Sequence, residues 1–161
     1  MTRLGKPPAP TAALVVDDDG DMCRILELAL TGAGWIATTA GSAALAIARC
    51  SDSPFQIAFV DARLPDMDGW RLIAELRQRR PEIRAVMISG YYFEDDVRVA
   101  RALQASEIHG FIAKPFRIEA VVAMATGLDV NGHRRPTESG ENARFGPKSP
   151  LIGLPTRTVS D

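Results

Sequence analysis

Three short apolar runs in this chain each stop abruptly at a charged residue. The runs are 12–16, 57–60 and 110–113, and they are followed by Asp17, Asp61 and Lys114. Short β-rich runs that end at a charge are typical of buried parallel strands whose carboxyl ends carry a site. Because ligands bind at that edge of open α/β sheets, we expect the carboxylates and the ammonium to meet there. Carboxylates grouped beside one amine favour the binding of Mg²⁺ and of a phosphoryl group.

The remaining pattern predicts a strand followed by a helix, repeated along the chain. The strands are expected at about 12–17, 35–39, 57–60, 85–88 and 110–113, and the helices at about 21–31, 42–50, 70–79, 93–104 and 117–125. Such alternation predicts one parallel sheet with helices packed on both faces. A chain of 161 residues has room for one ordinary domain and some tail, and we place the domain at 12–127.

Outside this domain the sequence has the composition of flexible chain. Residues 1–11 are polar and contain prolines, which predicts a disordered lead. Residues 128–161 combine prolines, glycines and mixed charge with few large apolar residues, which predicts a flexible tail. The tail contains no helix-turn-helix pattern, so we expect no output domain in it, and DNA binding would need a partner chain.

Bulk properties argue against several classes of function. The net charge of -1 gives no broad electrostatic reason to bind nucleic acid or a membrane surface. No apolar stretch reaches the length of a membrane span, and residues 1–10 lack the apolar core of a signal peptide. Cys23 and Cys50 stand in no metal-ligand spacing and are expected to be reduced thiols. The sequence therefore predicts a cytoplasmic protein without membrane attachment.

Several short motifs stand in order at the predicted strand ends. They are Leu14–Asp18, Val60–Asp61, Leu64–Gly69, Ile88–Gly90 and Lys114–Phe116. Each alone has an ordinary explanation, such as a solvated turn or a helix cap, whereas their joint order is specific. Together they resemble the receiver domain of two-component response regulators, over about residues 12–127. The resemblance implies a flavodoxin-like, doubly wound sheet of five parallel strands in the order 2-1-3-4-5, with helices on both faces.

The resemblance also implies a phosphoacceptor and a metal site. Asp61 matches the aspartate that takes a phosphoryl group from a sensor histidine kinase or a histidine phosphotransfer protein. Asp17 and Asp18 match the acidic pair that would hold Mg²⁺ together with Asp61 and the backbone carbonyl of Arg63. Asp19 extends the acidic run, so a metal pair one residue later is the alternative register. The apolar strand that leads directly into Asp17 favours the earlier pair.

The remaining matched residues imply a switch. Lys114 is expected to pair with Asp61 and then with a phosphoryl oxygen, and Ser89 to donate its hydroxyl to another such oxygen. Phe111 occupies the position of a switch aromatic. The implied function is a stand-alone receiver that signals to an unknown protein effector through its fourth helix, fifth strand and fifth helix, or that shuttles phosphate. It would catalyse only its own phosphorylation and dephosphorylation, and it would not otherwise be an enzyme.

The alternative function is an aspartyl-phosphate phosphatase of the haloacid-dehalogenase type. That chemistry needs an acid/base aspartate two residues after the nucleophile, and Asp17 with Asp19 has this spacing. The threonine that usually follows is absent, and 161 residues leave no room for a cap domain. Mapping a phosphoryl adduct to Asp61 would separate the receiver from the phosphatase.

Overall fold

The computed structural model describes residues 11–127, in which strands and helices alternate throughout. In chain order the elements are β1 (Ala12–Val16), α1 (Gly20–Gly32), β2 (Ile36–Ala40), α2 (Ala43–Asp52), β3 (Ile57–Asp61), α3 (Gly69–Arg79), β4 (Arg84–Ser89), α4 (Val97–Gln104), β5 (Gly110–Ala113) and α5 (Ile118–Thr126). The predicted flexible tail, 128–161, lies outside the described residues, as does the predicted disordered lead apart from Thr11.

The strands form one parallel sheet in the order β2-β1-β3-β4-β5, which confirms the predicted fold. Successive residues of β1 face opposite sides of the sheet. Leu14 and Val16 belong to a core that includes residues of α2, α3 and α4, while Ala13 and Val15 belong to a core that includes residues of α1 and α5. Because helices cover both faces, the central strands are apolar at nearly every position.

Side-chain caps set where most of the helices begin. The capping side chains are Asp19, Ser42, Asp68 and Asp96, each of which accepts a hydrogen bond from the first turn of its helix. The predicted start of the fourth helix at residue 93 is wrong. α4 begins at Val97, because the Asp96 carboxylate accepts from the Arg98 N–H at 2.8 Å. β2 begins at Ile36, one residue later than predicted, since the Trp35 N–H bonds back to the end of α1.

The loop between β3 and α3 is held from two sides. Gly69 opens α3 against the end of β3, where a Cβ atom would lie 2.3 Å from the Asp61 carbonyl oxygen. Only a residue without a side chain fits that approach. The Asp66 carboxylate accepts 2.9 Å hydrogen bonds from the N–H groups of Ala44 and Ala43, which begin α2. These bonds hold the pKa of Asp66 below its ordinary value and tie the loop to a neighbouring helix.

Cys23 and Cys50 are buried thiols without a disulfide, and burial raises the pKa of each, which favours the protonated thiol over the thiolate. Between residues 11 and 127, no helix has both the length and the apolar character needed to span a bilayer.

Candidate functional site

Carboxylates from two strands meet at the carboxyl edge of the sheet. Asp17 and Asp18 follow β1 directly, and Asp61 is the last residue of β3, the neighbouring strand. Each residue contributes an oxygen to a group whose members all lie within 4.8 Å of one another. Asp17 and Asp61 are buried, with 3% and 7% of their surface exposed, whereas Asp18 is exposed. The structure therefore brings together the carboxylates that the sequence predicted as metal ligands.

Lys114, the residue after β5, bridges two of these carboxylates. Its Nζ donates to Asp17 Oδ2 at 2.9 Å and to Asp61 Oδ2 at 2.7 Å. The resemblance implied the contact with Asp61 but not the one with Asp17. Burial by itself would lower the pKa of Lys114, but the hydrogen bonds to both aspartates outweigh burial and raise it. Lys114 is therefore a fixed positive charge beside Asp61.

The positive charge of Lys114 offsets only part of the repulsion in this cluster. Burial is the largest influence on Asp17 and raises its pKa, and the charge of Asp61 adds to that shift. Carboxylate oxygens are the ligands that hard divalent cations prefer, and these oxygens are close enough to share one ion. The donor set therefore fits a hard divalent cation such as Mg²⁺, which Asp17, Asp18 and Asp61 would hold.

Asp19 is kept out of this cluster by its own hydrogen bonds. Its Oδ1 accepts from the Asp21 N–H at 2.9 Å and from the Met22 N–H at 3.2 Å, and so it caps α1. The acidic run therefore contributes Asp17 and Asp18 to the cluster, and their role as the metal pair remains a prediction. A carboxylate committed to a helix cap is also badly placed to act as acid/base for Asp17, which disfavours the phosphatase alternative.

A cavity of about 550 Å³ opens over the acidic cluster. Its lining includes Asp18, Asp61, Arg63, Tyr91 and Lys114. The Arg63 guanidinium carbon lies 3.8 Å from the centre of the Tyr91 ring, which is a cation–π contact. The Arg63 N–H donates to Asp61 Oδ1 at 2.9 Å. The stacked side chains of Arg63 and Tyr91 form one side of the cavity through which Asp61 is reached. The role of the Arg63 carbonyl as a metal ligand remains a prediction.

The predicted switch residues are both buried. Ser89 ends β4, and its hydroxyl oxygen accepts from the N–H groups of Tyr91 and Tyr92 at 2.9 and 3.1 Å. Its carbonyl accepts from the Lys114 N–H at 2.7 Å, which ties the ends of β4 and β5 together. Phe111 in β5 is only 7% exposed and belongs to the core that includes α4 residues. The switching roles of Ser89 and Phe111 remain predictions.

Comparison with known proteins identifies one family. The family model for the response regulator receiver domain matches residues 13–126. A probable transcriptional regulatory protein, TcrX of Mycobacterium tuberculosis, is 32% identical over 119 residues, which are 74% of this chain and 50% of TcrX. The DNA-binding transcriptional regulator NtrC of Escherichia coli is 28% identical over 140 residues, 86% of this chain and 29% of NtrC. The chain thus spans half or less of these relatives, and the stand-alone arrangement stays a prediction.

Solved structures agree with the fold. A CheY-like response regulator receiver domain protein from Methanospirillum hungatei matches with a TM-score of 0.66 and 23% identity, covering 73% of this chain and 92% of that one. NtrX from Brucella abortus, in complex with ATP, matches with a TM-score of 0.64 and 29% identity, covering 73% of this chain and 26% of NtrX.

Receiver domains bind a divalent metal through clustered acidic residues and interact with histidine kinases or phosphotransfer proteins. Because the family match runs from β1 to the end of α5, this chain belongs to the response regulator receiver domain family.

Proposed function

We propose that Asp61 accepts a phosphoryl group from a sensor histidine kinase or a histidine phosphotransfer protein, in a Mg²⁺-dependent reaction. The position of the Asp61 carboxylate carries this proposal. It lies within 4.8 Å of the Asp17 and Asp18 carboxylates and 2.7 Å from the Lys114 ammonium, at an open cavity. Holding like charges together in this way destabilises the fold, but it suits the binding of a metal ion and a phosphoryl group.

The transfer uses the residues of this cluster in different roles. An Asp61 oxygen forms the new bond to phosphorus while the bond between phosphorus and the donor nitrogen breaks, and the electron pair leaves with that nitrogen. Mg²⁺, when bound, neutralises the repulsion between the carboxylate and the phosphoryl oxygens. Asp17, Asp18 and Asp61 would hold it, with the Arg63 carbonyl as a further oxygen. Lys114 supplies a second positive charge for a phosphoryl oxygen.

The proposed switch follows from the charge that appears at Asp61. A dianionic group there offers new acceptors to Lys114 and to the free hydroxyl proton of Ser89. If Ser89 turns toward the phosphoryl group, its oxygen releases the N–H groups of Tyr91 and Tyr92, which it now holds. The segment that leads into α4 would then move, and Phe111 would adjust with it.

The proposed output is a protein contact on the side formed by α4, β5 and α5. Phe93 and Val97 are 69% and 65% exposed, although both are large and apolar. A cavity of about 790 Å³ lies along β5 and α5, with Phe111 and Phe116 in its lining. Exposed apolar surface next to such a cavity is typical of a site for another protein. The partner would be a protein effector or a second phosphate acceptor, without direct contact between this domain and nucleic acid.

The phosphoryl donor is proposed to dock beside α1. Ile25 and Leu28 are 47% and 62% exposed there, and a cavity of about 540 Å³ runs from Ile25 to Lys114 and Pro115. A partner seated on this apolar surface would reach the Lys114 side of the acidic cluster. In this proposal the chain acts in the cytoplasm and catalyses only its own phosphorylation and dephosphorylation.

Intact mass measurement after incubation with Mg²⁺ and acetyl phosphate tests the proposed function. We expect one acid-labile phosphoryl adduct on the wild type, mapped to Asp61, and none on Asp61→Asn. The amide is nearly isosteric and removes one charge from the crowded cluster, so the melting temperature of Asp61→Asn should be unchanged or slightly higher. Asp19→Asn is the matched control and should accept the phosphoryl group, since Asp19 caps a helix outside the cluster. Full phosphorylation of Asp61→Asn would refute the site.

A further inference from the structure

A second cavity, the α3–α4 groove, lies between α3 and α4 and has a volume of about 440 Å³. Within residues 11–127 it shares no lining residue with the cavity over Asp61. Ile73 and Ile108 contribute apolar surface to it, and Trp70, Arg77 and Arg98 contribute donors. Its size falls in the range of roughly 300–1,000 Å³ that small-molecule sites occupy.

Two residues that line the α3–α4 groove each carry a buried donor without an acceptor. The indole Nε1 of Trp70 and the Nε of Arg77 are both covered and, among the described residues, have no hydrogen-bond partner. Trp70 as a whole is only 8% exposed. The Nη1 of Arg77 donates to the carbonyls of both Ser106 and Glu107. Buried donors are almost always paired, so two unpaired ones in one groove call for an acceptor from outside the chain.

The Trp70 ring is held in place on two sides. The Arg98 guanidinium carbon lies 4.7 Å from the ring centre, and the Tyr92 ring packs against it edge-on with a centre-to-centre distance of 5.9 Å. The indole N–H therefore has a fixed direction. Arg98 is exposed and forms no ion pair with any carboxylate in the described part of the chain.

The charges around the α3–α4 groove favour an anion. The cationic lining residues are Arg71, Arg77 and Arg98, and the acidic ones are Asp68 and Glu107. The Asp68 carboxylate is already occupied, because it accepts from the Trp70 backbone N–H at 2.9 Å and caps α3. Glu107 is exposed, so water screens its charge. The unsatisfied groups that remain are donors and cations.

We propose that the α3–α4 groove binds a small organic carboxylate. The apolar body of the ligand lies against Ile73 and Ile108, and its carboxylate accepts from the Arg98 guanidinium and the Trp70 indole N–H. Because the indole nitrogen is covered in the unliganded chain, binding requires the side chains around that nitrogen to shift. This site is separate from the phosphoacceptor and does not depend on it.

Benzoate and its neutral isostere benzamide are the probes for this site, read by the two indole N–H resonances in ¹⁵N-labelled protein at constant ionic strength. Trp35→Phe assigns the signals, because Trp35 and Trp70 are the two tryptophans of the chain. We expect benzoate to shift the Trp70 signal in a saturable way and benzamide to shift it far less. Arg98→Gln should weaken benzoate about fivefold, the size of a lost charge-assisted contact at a partly exposed site.

Arg101→Gln is the matched control, since Arg101 is an exposed arginine of the same helix that does not line the α3–α4 groove. It should bind benzoate like the wild type, and both variants should melt as the wild type does. A Trp70 signal that does not move, a shift that never saturates, equal shifts with benzamide, or unchanged benzoate affinity in Arg98→Gln would each overturn the proposed site. Phosphorylation of Asp61 is measured separately, so failure of one proposal leaves the other standing.

Discussion

At the carboxyl edge of the sheet the polar side chains bond to one another, whereas at the amino edge they bond to backbone groups. At the carboxyl edge the Lys114 ammonium bonds to the carboxylates of Asp17 and Asp61. At the amino edge the Nδ1 of His109 accepts from the Ala85 N–H at 3.1 Å. Arg84 donates there to the carbonyls of Met124 and Ala125, at the end of α5. Both edges carry charged residues, but only one leaves charges that can change partners.

This difference between the two edges distinguishes polar groups that stabilise the fold from polar groups that are available to a ligand. A backbone partner in a sheet or helix stays in place, and each such bond contributes about 1 kcal/mol. His109 illustrates this: partial desolvation of its ring, followed by the charge of Arg77, lowers its pKa and favours the neutral form that accepts from the Ala85 N–H. The carboxylates at the other edge retain mutual repulsion, which an incoming cation would relieve.

The largest effect on stability is expected where the carboxyl edge is packed most closely. Gly69→Ala should lower the free energy of unfolding by about 1–3 kcal/mol, because its Cβ would lie 2.3 Å from the Asp61 carbonyl oxygen. Gly20→Ala is the control: nothing lies within 4 Å of its added Cβ, and alanine suits the start of α1. Urea denaturation of both variants checks this. Equal stability of Gly69→Ala and the wild type would show that α3 can move away from β3.

An effect on the rate of dephosphorylation is expected from the stacked side chains of Arg63 and Tyr91 at the same edge. Hydrolysis of phospho-Asp61 needs a water in line with phosphorus, and Arg63 and Tyr91 are large side chains in contact beside that path. Arg63 can also bond a phosphoryl oxygen instead of orienting water. We expect Arg63→Asn/Tyr91→Glu to lose its phosphoryl group about tenfold faster, equivalent to roughly 1.4 kcal/mol of barrier. Unchanged or slower decay, measured by intact mass over time beside Arg101→Asn, would rule out blocking by these side chains.

A smaller effect is expected at the amino edge, without loss of function. Arg84→Ala should lower the free energy of unfolding by about 1 kcal/mol, since the end of α5 loses its donors. Arg79→Ala is the control and should change little, because Arg79 is 46% exposed and pairs with Glu75 along the same helix. Both variants should still be phosphorylated by acetyl phosphate. Loss of phosphorylation in a folded Arg84→Ala protein would mean that the two edges are not independent.

Most of the fold could be predicted from the sequence because its signals are local. Apolar runs bounded by glycine, proline or charge give the strands, and the order of charged strand ends places Asp17, Asp61 and Lys114 together. The start of α4 was misplaced because consecutive acids precede it, and only the structure shows that Asp96 is the one that caps the helix. When several neighbouring residues could each cap a helix, their spacing in the sequence does not show which one does so.

The contacts that the sequence could not predict join residues distant in the chain. Asp66 caps the start of α2 from another loop, and its position in the sequence predicts an ordinary turn. Lys114 reaches Asp17 as well as Asp61 because β5, β3 and β1 end at one edge. The stacking of Arg98 on Trp70 depends on how α4 packs beside α3. Such contacts follow from tertiary packing, which local patterns do not encode.

The most direct test of the difference between the two edges is a Mg²⁺ titration followed by melting temperature. An ion held only by the folded chain stabilises it by mass action, about 1.4 kcal/mol at ten times its Kd. We expect Mg²⁺ to raise the melting temperature of the wild type, Asp18→Ala to lose most of that rise, and Asp19→Ala to keep it, because Asp18 belongs to the cluster and Asp19 caps α1. A Mg²⁺ effect lost in Asp19→Ala and kept in Asp18→Ala would contradict the assigned metal register, and no effect on the wild type would contradict a metal site at this edge.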